Sequence, residues 1–134
     1  MSRTLARVTK LVQVAGHSHQ LLHLSAADGT RNLEVMIGRT ALHAIRSALL
    51  DSKNTRPITS EIFAEVIGEL DATVHETEIH DFDNGTYFAE LRLSDSSDKA
   101  ICIDCRPSDA IAICLQLKAP IYISDSVWDK VAKK

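Results

Sequence analysis

Two Asx-Gly pairs, Asp28-Gly29 and Asn84-Gly85, each lie between runs of alternating apolar residues. Such pairs reach the positive φ angles of tight reversals, so the runs on either side become antiparallel neighbours. The first pair joins Gln20–Ala26 to Arg31–Ile37. With Leu5–Val14 and the turn Gly16–His19, these make a three-stranded meander. The second pair closes the turn Asp81–Gly85, between a strand at Ala72–His80 and one at Thr86–Ser94. Helical spacing separates the two hairpins: apolar residues at 41, 45, 48 and 49, then Ile62, Phe63, Val66, Ile67 and Leu70. The first of these helices runs from Arg39 to about Leu50, and Asp51–Arg56 is a polar loop. Thr59 fits the N-cap of the second helix, with Glu61 favourable to its dipole.

A loop at Asp95–Asp98 leads to a strand at Lys99–Cys105. Pro107 fits the first helical position. Ala110–Leu117 is apolar nearly all round, so that helix is expected to be buried. Pro120 ends it, Ile121–Ile123 is a short strand, and Asp125 opens a helix that ends in Lys130, Lys133 and Lys134. The order is β-β-β-α-α-β-β-β-α-β-α. That predicts an α+β fold, with a mixed, largely antiparallel sheet and packed helices in one domain over 1–134.

Aromatic residues are only 4% of the 134, so the core must be aliphatic. The net charge of −3 excludes a dedicated nucleic-acid binder with a strongly basic face. Any nucleic-acid contact must be local and transient. Cys102 and Cys105 form a CxxC by spacing, but residues three apart on a strand face opposite ways. They and Cys114 are read as reduced core thiols. No window is apolar enough to span a membrane, and the N-terminus lacks an apolar targeting segment, so a cytoplasmic protein is expected. His17-Ser18-His19 reads as a solvated turn.

P-loop, GxGxxG, GxSxG and HExxH motifs are absent. Instead, Asp104-Cys105-Arg106-Pro107-Ser108-Asp109 places two carboxylates, a guanidinium and a hydroxyl where a strand meets a helix. A helix N-terminus attracts anions, and Arg106 can grip a phosphate with two donors. Asp104 and Asp109 could hold a divalent cation. Equally, Asp109 could serve only the helix dipole, with Arg106 paired to it across the turn. Arg56-Pro57-Ile58-Thr59-Ser60-Glu61 repeats the theme at a second helix start. Asp81, Asp83, Asn84 and Gly85 make a third, Asx-rich cluster.

Together these segments resemble the bifunctional nuclease domain family. Ile103–Ala112 is similar to its I-D-x-R-P-S-D-A-I-A signature, and Arg56–Thr59 to the start of R-P-x-T-H-D-L. Asp83–Ala89 resembles D-G-T-F-Y-A, Ile37-Gly38 the I-x-I-G element, and Ala119–Tyr122 the A-P-I-Y strand. The motifs come in family order over about Leu5 to Val127. Two places depart: Ala41-Leu42 stands where the family usually has Glu-Ala, and Ser60-Glu61 where it has His-Asp.

The resemblance implies a compact α+β domain, a homodimer, and nuclease activity on RNA and DNA with little sequence preference. Chemical inference on the matching positions gives metal-assisted phosphodiester hydrolysis. Asp109, Arg106, Asp104 and Glu61 are the expected catalytic residues, and Arg56, Thr59 and Ser108 the substrate-binding ones. Asp104, Asp109 and Asp83 would hold Mg or Mn. The alternative is a non-catalytic anion-binding, small-ligand or protein-interaction dimer module.

Overall fold

A computed structural model describes residues 2–16, 18–52 and 54–132. His17 of the expected turn, Lys53 of the polar loop, and Lys133 and Lys134 of the terminal helix lie outside the described residues. The chain forms β1 (Arg3–Val12), β2 (Gln20–Ala26), β3 (Asn32–Ile37), α1 (Arg39–Leu49), α2 (Thr59–Glu69), β4 (Thr73–Asp83), β5 (Thr86–Ser94), β6 (Ala100–Cys105), α3 (Pro107–Leu117), β7 (Ile121–Ser124) and α4 (Asp125–Ala132). This is the expected order. The strands make one sheet in the order β3-β2-β1-β7-β4-β5-β6. Every pairing is antiparallel except β4 with β7. The fold is a single α+β domain.

One face of the sheet is apolar: Leu22, Leu24, Leu33, Val35, Ile37, Ile79, Ala89, Leu91, Leu93, Ile121 and Ile123 are buried there. Alternation along each strand puts them on that face, and helices cover it. α3 lies against β4 and β5 with α1 and α2 on its flanks. Ala110, Ile111, Ala112 and Cys114 of α3 are buried, as its uniformly apolar composition requires. The buried Thr77 is satisfied, donating its hydroxyl proton to the Glu90 carbonyl (2.8 Å). In contrast, Ile62, Val66 and Leu70 form an exposed stripe along the outer side of α2.

Three local expectations change. β4 continues through Asp83, so only Asn84 and Gly85 turn the chain, at φ 51° and 82°. That is the two-residue reversal the Asn-Gly pair favours, and it lengthens the hairpin. Ile58 rather than Thr59 is the N-cap of α2. Its N–H donates to the Glu61 carboxylate (2.8 Å), so the acid caps the helix from within. Cys102 is exposed and only Cys114 is fully buried, because β6 is an edge strand whose outer side has no cover. Burial raises the Cys105 thiol to about 11 and that of Cys114 to about 12.

The opposite face carries charge. Arg92 donates to Glu76 (2.9 Å), Glu78 (2.8 Å) and Glu90 (3.1 Å). Arg3 bonds Glu76 and Glu78, and the Ser124 hydroxyl donates to Glu78 (2.6 Å). These contacts tie β1, β7, β4 and β5 across the open side. Burial pushes the Glu76 and Glu78 carboxyls up, but the bonds from Arg3, Arg92 and Ser124 outweigh it, and both end below the usual carboxylate range. Bonds from Cys102 and Arg92 lower Glu90 as well.

These carboxylates bind protons more weakly folded than unfolded. Their stabilising contribution is therefore complete above the unfolded value near 4.5 and is lost as pH falls through the lower folded values. The melting temperature is expected to fall steeply below about pH 4.5. An Arg92→Met variant should show a shallower fall, which thermal melts across pH would record. Lys118 ends α3 in the left-handed region at φ 59°. Lys118→Gly should therefore raise stability by about 0.5–1 kcal/mol in denaturant titrations.

Candidate functional site

The site begins where the long β4–β5 hairpin meets the edge strand β3. The Tyr87 hydroxyl donates to the Glu34 carbonyl (3.2 Å), and the Phe82 and Tyr87 rings lie 4.5 Å apart, tilted. This contact pins the hairpin tip against β3. Between them runs an open groove of about 730 Å³. Its walls include Val35–Gly38 from β3 and the entry to α1, Gly85–Tyr87 from the hairpin tip, and Arg106–Ser108 from the start of α3. Three segments far apart in the chain thus line one depression. His19, Leu21, Glu34 and Phe82 complete it.

One end of the groove is suited to anions. Pro107 occupies the first position of α3, where its lack of an N–H costs no bond. Ser108 is only 9% exposed, and it lines the groove. α1 starts at Gly38 with no side-chain cap and no acid in its first turn. Its first N–H groups and the positive end of its dipole are thus left uncompensated. Arg106 lines the same groove, held by Asp109 through Nε–Oδ2 (2.8 Å) and Nη2–Oδ1 (3.3 Å). That bond raises the guanidinium further above its usual value. Asp109 is therefore a partner that orients Arg106 from a half-exposed position in the first turn of α3.

The other predicted residues lie elsewhere. Pro57 and Glu61 line a separate polar pocket of about 330 Å³ with Leu115 and Gln116. Ser108 and Gln116 are eight positions apart on α3, about 12 Å along its axis. The Arg56–Glu61 segment thus sits at the far end of α3 from Arg106. Glu61 also accepts a bond from Asn54 (3.1 Å), which contacts His43 (3.0 Å). Its carboxylate is engaged in holding the α1–α2 connection, and Thr59 is simply the first residue of α2.

The carboxylates expected to hold a metal do not converge. Asp104 pairs in register with Glu90 on the charged open face, Asp109 is taken by Arg106, and Asp83 ends β4 within the field of Lys130. Among the described residues no group of three or more His, Cys, Asp or Glu side chains could hold a metal ion. These side chains do not fit a resident cation.

The residue that spacing did not flag is His19. It reads as part of a solvated turn, and only the packing of the hairpin tip against β3 brings it to the groove. Among the described residues no helix is long and apolar enough to cross a membrane.

The groove thus lies between a sheet edge and two helix starts of a single α+β domain. The model of the bifunctional nuclease domain matches residues 22–134, and the chain belongs to that family. An uncharacterized protein of Mycobacterium tuberculosis is 33% identical over 107 residues, 80% of this chain and 63% of that protein. Bifunctional nuclease 2 of Arabidopsis thaliana is 28% identical over 109 residues, 79% of this chain and 33% of its own length. Bifunctional nuclease 1 of the same plant is 27% identical over 109 residues. The chain thus spans less than two thirds of the curated relatives it matches.

The geometry separates Glu61 from Asp109. Glu61→Ala removes a cap and a loop brace, and should cost about 1 kcal/mol. Asp109→Asn breaks an exposed ion pair, and should shift stability by less than about 1 kcal/mol. Urea denaturation of both variants beside the wild type checks the ranking.

Proposed function

We propose that the groove binds a phosphodiester of nucleic acid and cleaves it. The observation that supports this reading most is the meeting of Ile37-Gly38, Gly85–Tyr87 and Arg106–Ser108 around an end rich in free anion donors. Arg106 keeps donors beyond the two that Asp109 engages, and these hold phosphate oxygens. The Ser108 hydroxyl and the N–H groups opening α1 add further bonds. The N–H groups opening α1 are fixed by the helix before substrate arrives, so they favour the extra charge of the transition state.

His19 is the groove residue whose side-chain type exchanges protons near neutrality. It takes the proton of the attacking oxygen, the ribose 2′-hydroxyl in RNA or water in DNA; as that oxygen bonds to phosphorus the P–O bond to the leaving nucleoside breaks, and the leaving oxygen is protonated by the imidazolium or by solvent water. No step is assigned to a metal, because the carboxylates do not gather. Homodimerisation remains part of the proposal.

A second reading has the same groove holding a nucleotide-like anion without turnover. It is favoured by the presence of one proton-transferring imidazole and no gathered acids. Cleavage of labelled RNA and DNA decides between the two. Arg106→Ala and His19→Ala should each lower the rate at least tenfold, a loss of about 1.4 kcal/mol or more in transition-state binding. Arg56→Ala, at the far end of α3, should cut at the wild-type rate. Saturable binding with no cleavage by wild type would establish the second reading. Full activity in Arg106→Ala would remove the groove from the chemistry.

A further inference from the structure

The half of the groove away from Arg106 has a different character. Met36 is 66% exposed, although its strand neighbours Val35 and Ile37 are buried. The core does not use it. Across the β2–β3 ladder it stands in register with Leu21, which also lines the groove. The Tyr87 ring is fixed at both ends, by its hydroxyl on the Glu34 carbonyl and by Phe82 beneath it. A flat, immobilised ring and two flexible apolar side chains together offer a surface for a planar group. Glu34 also lines the groove, its carboxylate 3.4 Å from His23 Nε2, and that negative charge disfavours phosphate here, so an anion is directed toward Arg106 and Ser108. Met36 and Gly38 are two strand positions apart, about 7 Å, so the apolar and anionic ends are close enough for a single nucleotide to span both.

From this, and resting on the phosphodiester reading above, we infer that the Leu21–Met36–Tyr87 surface seats an unpaired nucleobase, which makes single-stranded nucleic acid the substrate. A base can lie flat on these side chains only when it is free of its partner and its stack. A duplex would first have to extrude it. Because every base has an apolar face, the seat tolerates any sequence.

Fluorescence anisotropy tests this with three labelled probes of equal length: a 2′-O-methyl oligouridylate, the same backbone without bases, and a duplex. The wild type should bind the single strand about 5- to 100-fold more tightly than the abasic strand or the duplex. Met36→Ala, whose site is exposed, should melt like the wild type. It should weaken single-strand binding severalfold while leaving the abasic strand unchanged. Arg106→Ala should weaken both strands. Equal binding of single and abasic strands by the wild type, with Arg106→Ala weakening both, would overturn the base seat and leave the phosphate end standing. Preference for duplex would overturn the seat as well. No binding of any probe would remove the phosphodiester reading, and the seat with it.

Discussion

Burial of α3 is the constraint on which the rest depends. Its apolar surface on nearly all sides requires cover from the sheet below and from α1 and α2 beside it. Once it lies there, its two ends are fixed in space. The N-terminal end presents Arg106, Pro107 and Ser108 to the groove, while the C-terminal end meets the α2 entry through Leu115 and Gln116. A single packing decision therefore separates two Arg-Pro segments that look alike in the chain.

The two faces of the sheet divide the remaining work. The helix-covered face supplies the aliphatic core. The open face replaces a second helical layer with a charged lattice in which Arg3 and Arg92 bridge Glu76, Glu78 and Glu90. These charges are partly shielded and hydrogen-bonded, so they stiffen the β1–β7–β4–β5 centre without a core on that side. Stiffness there matters for the site, because the β4–β5 hairpin must carry Phe82 and Tyr87 to the far edge of the sheet.

The element order could be read from the chain because hairpin turns and amphipathic stripes are local signals. Asn84-Gly85 marked its turn, and Pro107 marked the start of α3. The groove could not be read so directly. Arg106 and Ser108 stood out as helix-start chemistry, but whether Arg56 joined them depended on where α2 packs along α3. Glu61 looked like an available acid until its bonds to Ile58 and Asn54 showed it spent within the fold. His19 and Met36 carried no motif at all. Their place at the groove arises from the Tyr87–Glu34 contact, which joins residues 53 apart in the chain.

On the proposed reading phosphate binds at the N-terminal end of α3 and not at its C-terminal end. Amide chemical shifts followed by NMR during titration with a short 2′-O-methyl oligouridylate test it most directly. Saturable shifts are expected at Gly38, Gly85, Tyr87 and Ser108, with Asn54, Thr59 and Glu61 unmoved. Shifts confined to Asn54, Thr59 and Glu61 would contradict it and transfer the site to the opposite end of the helix.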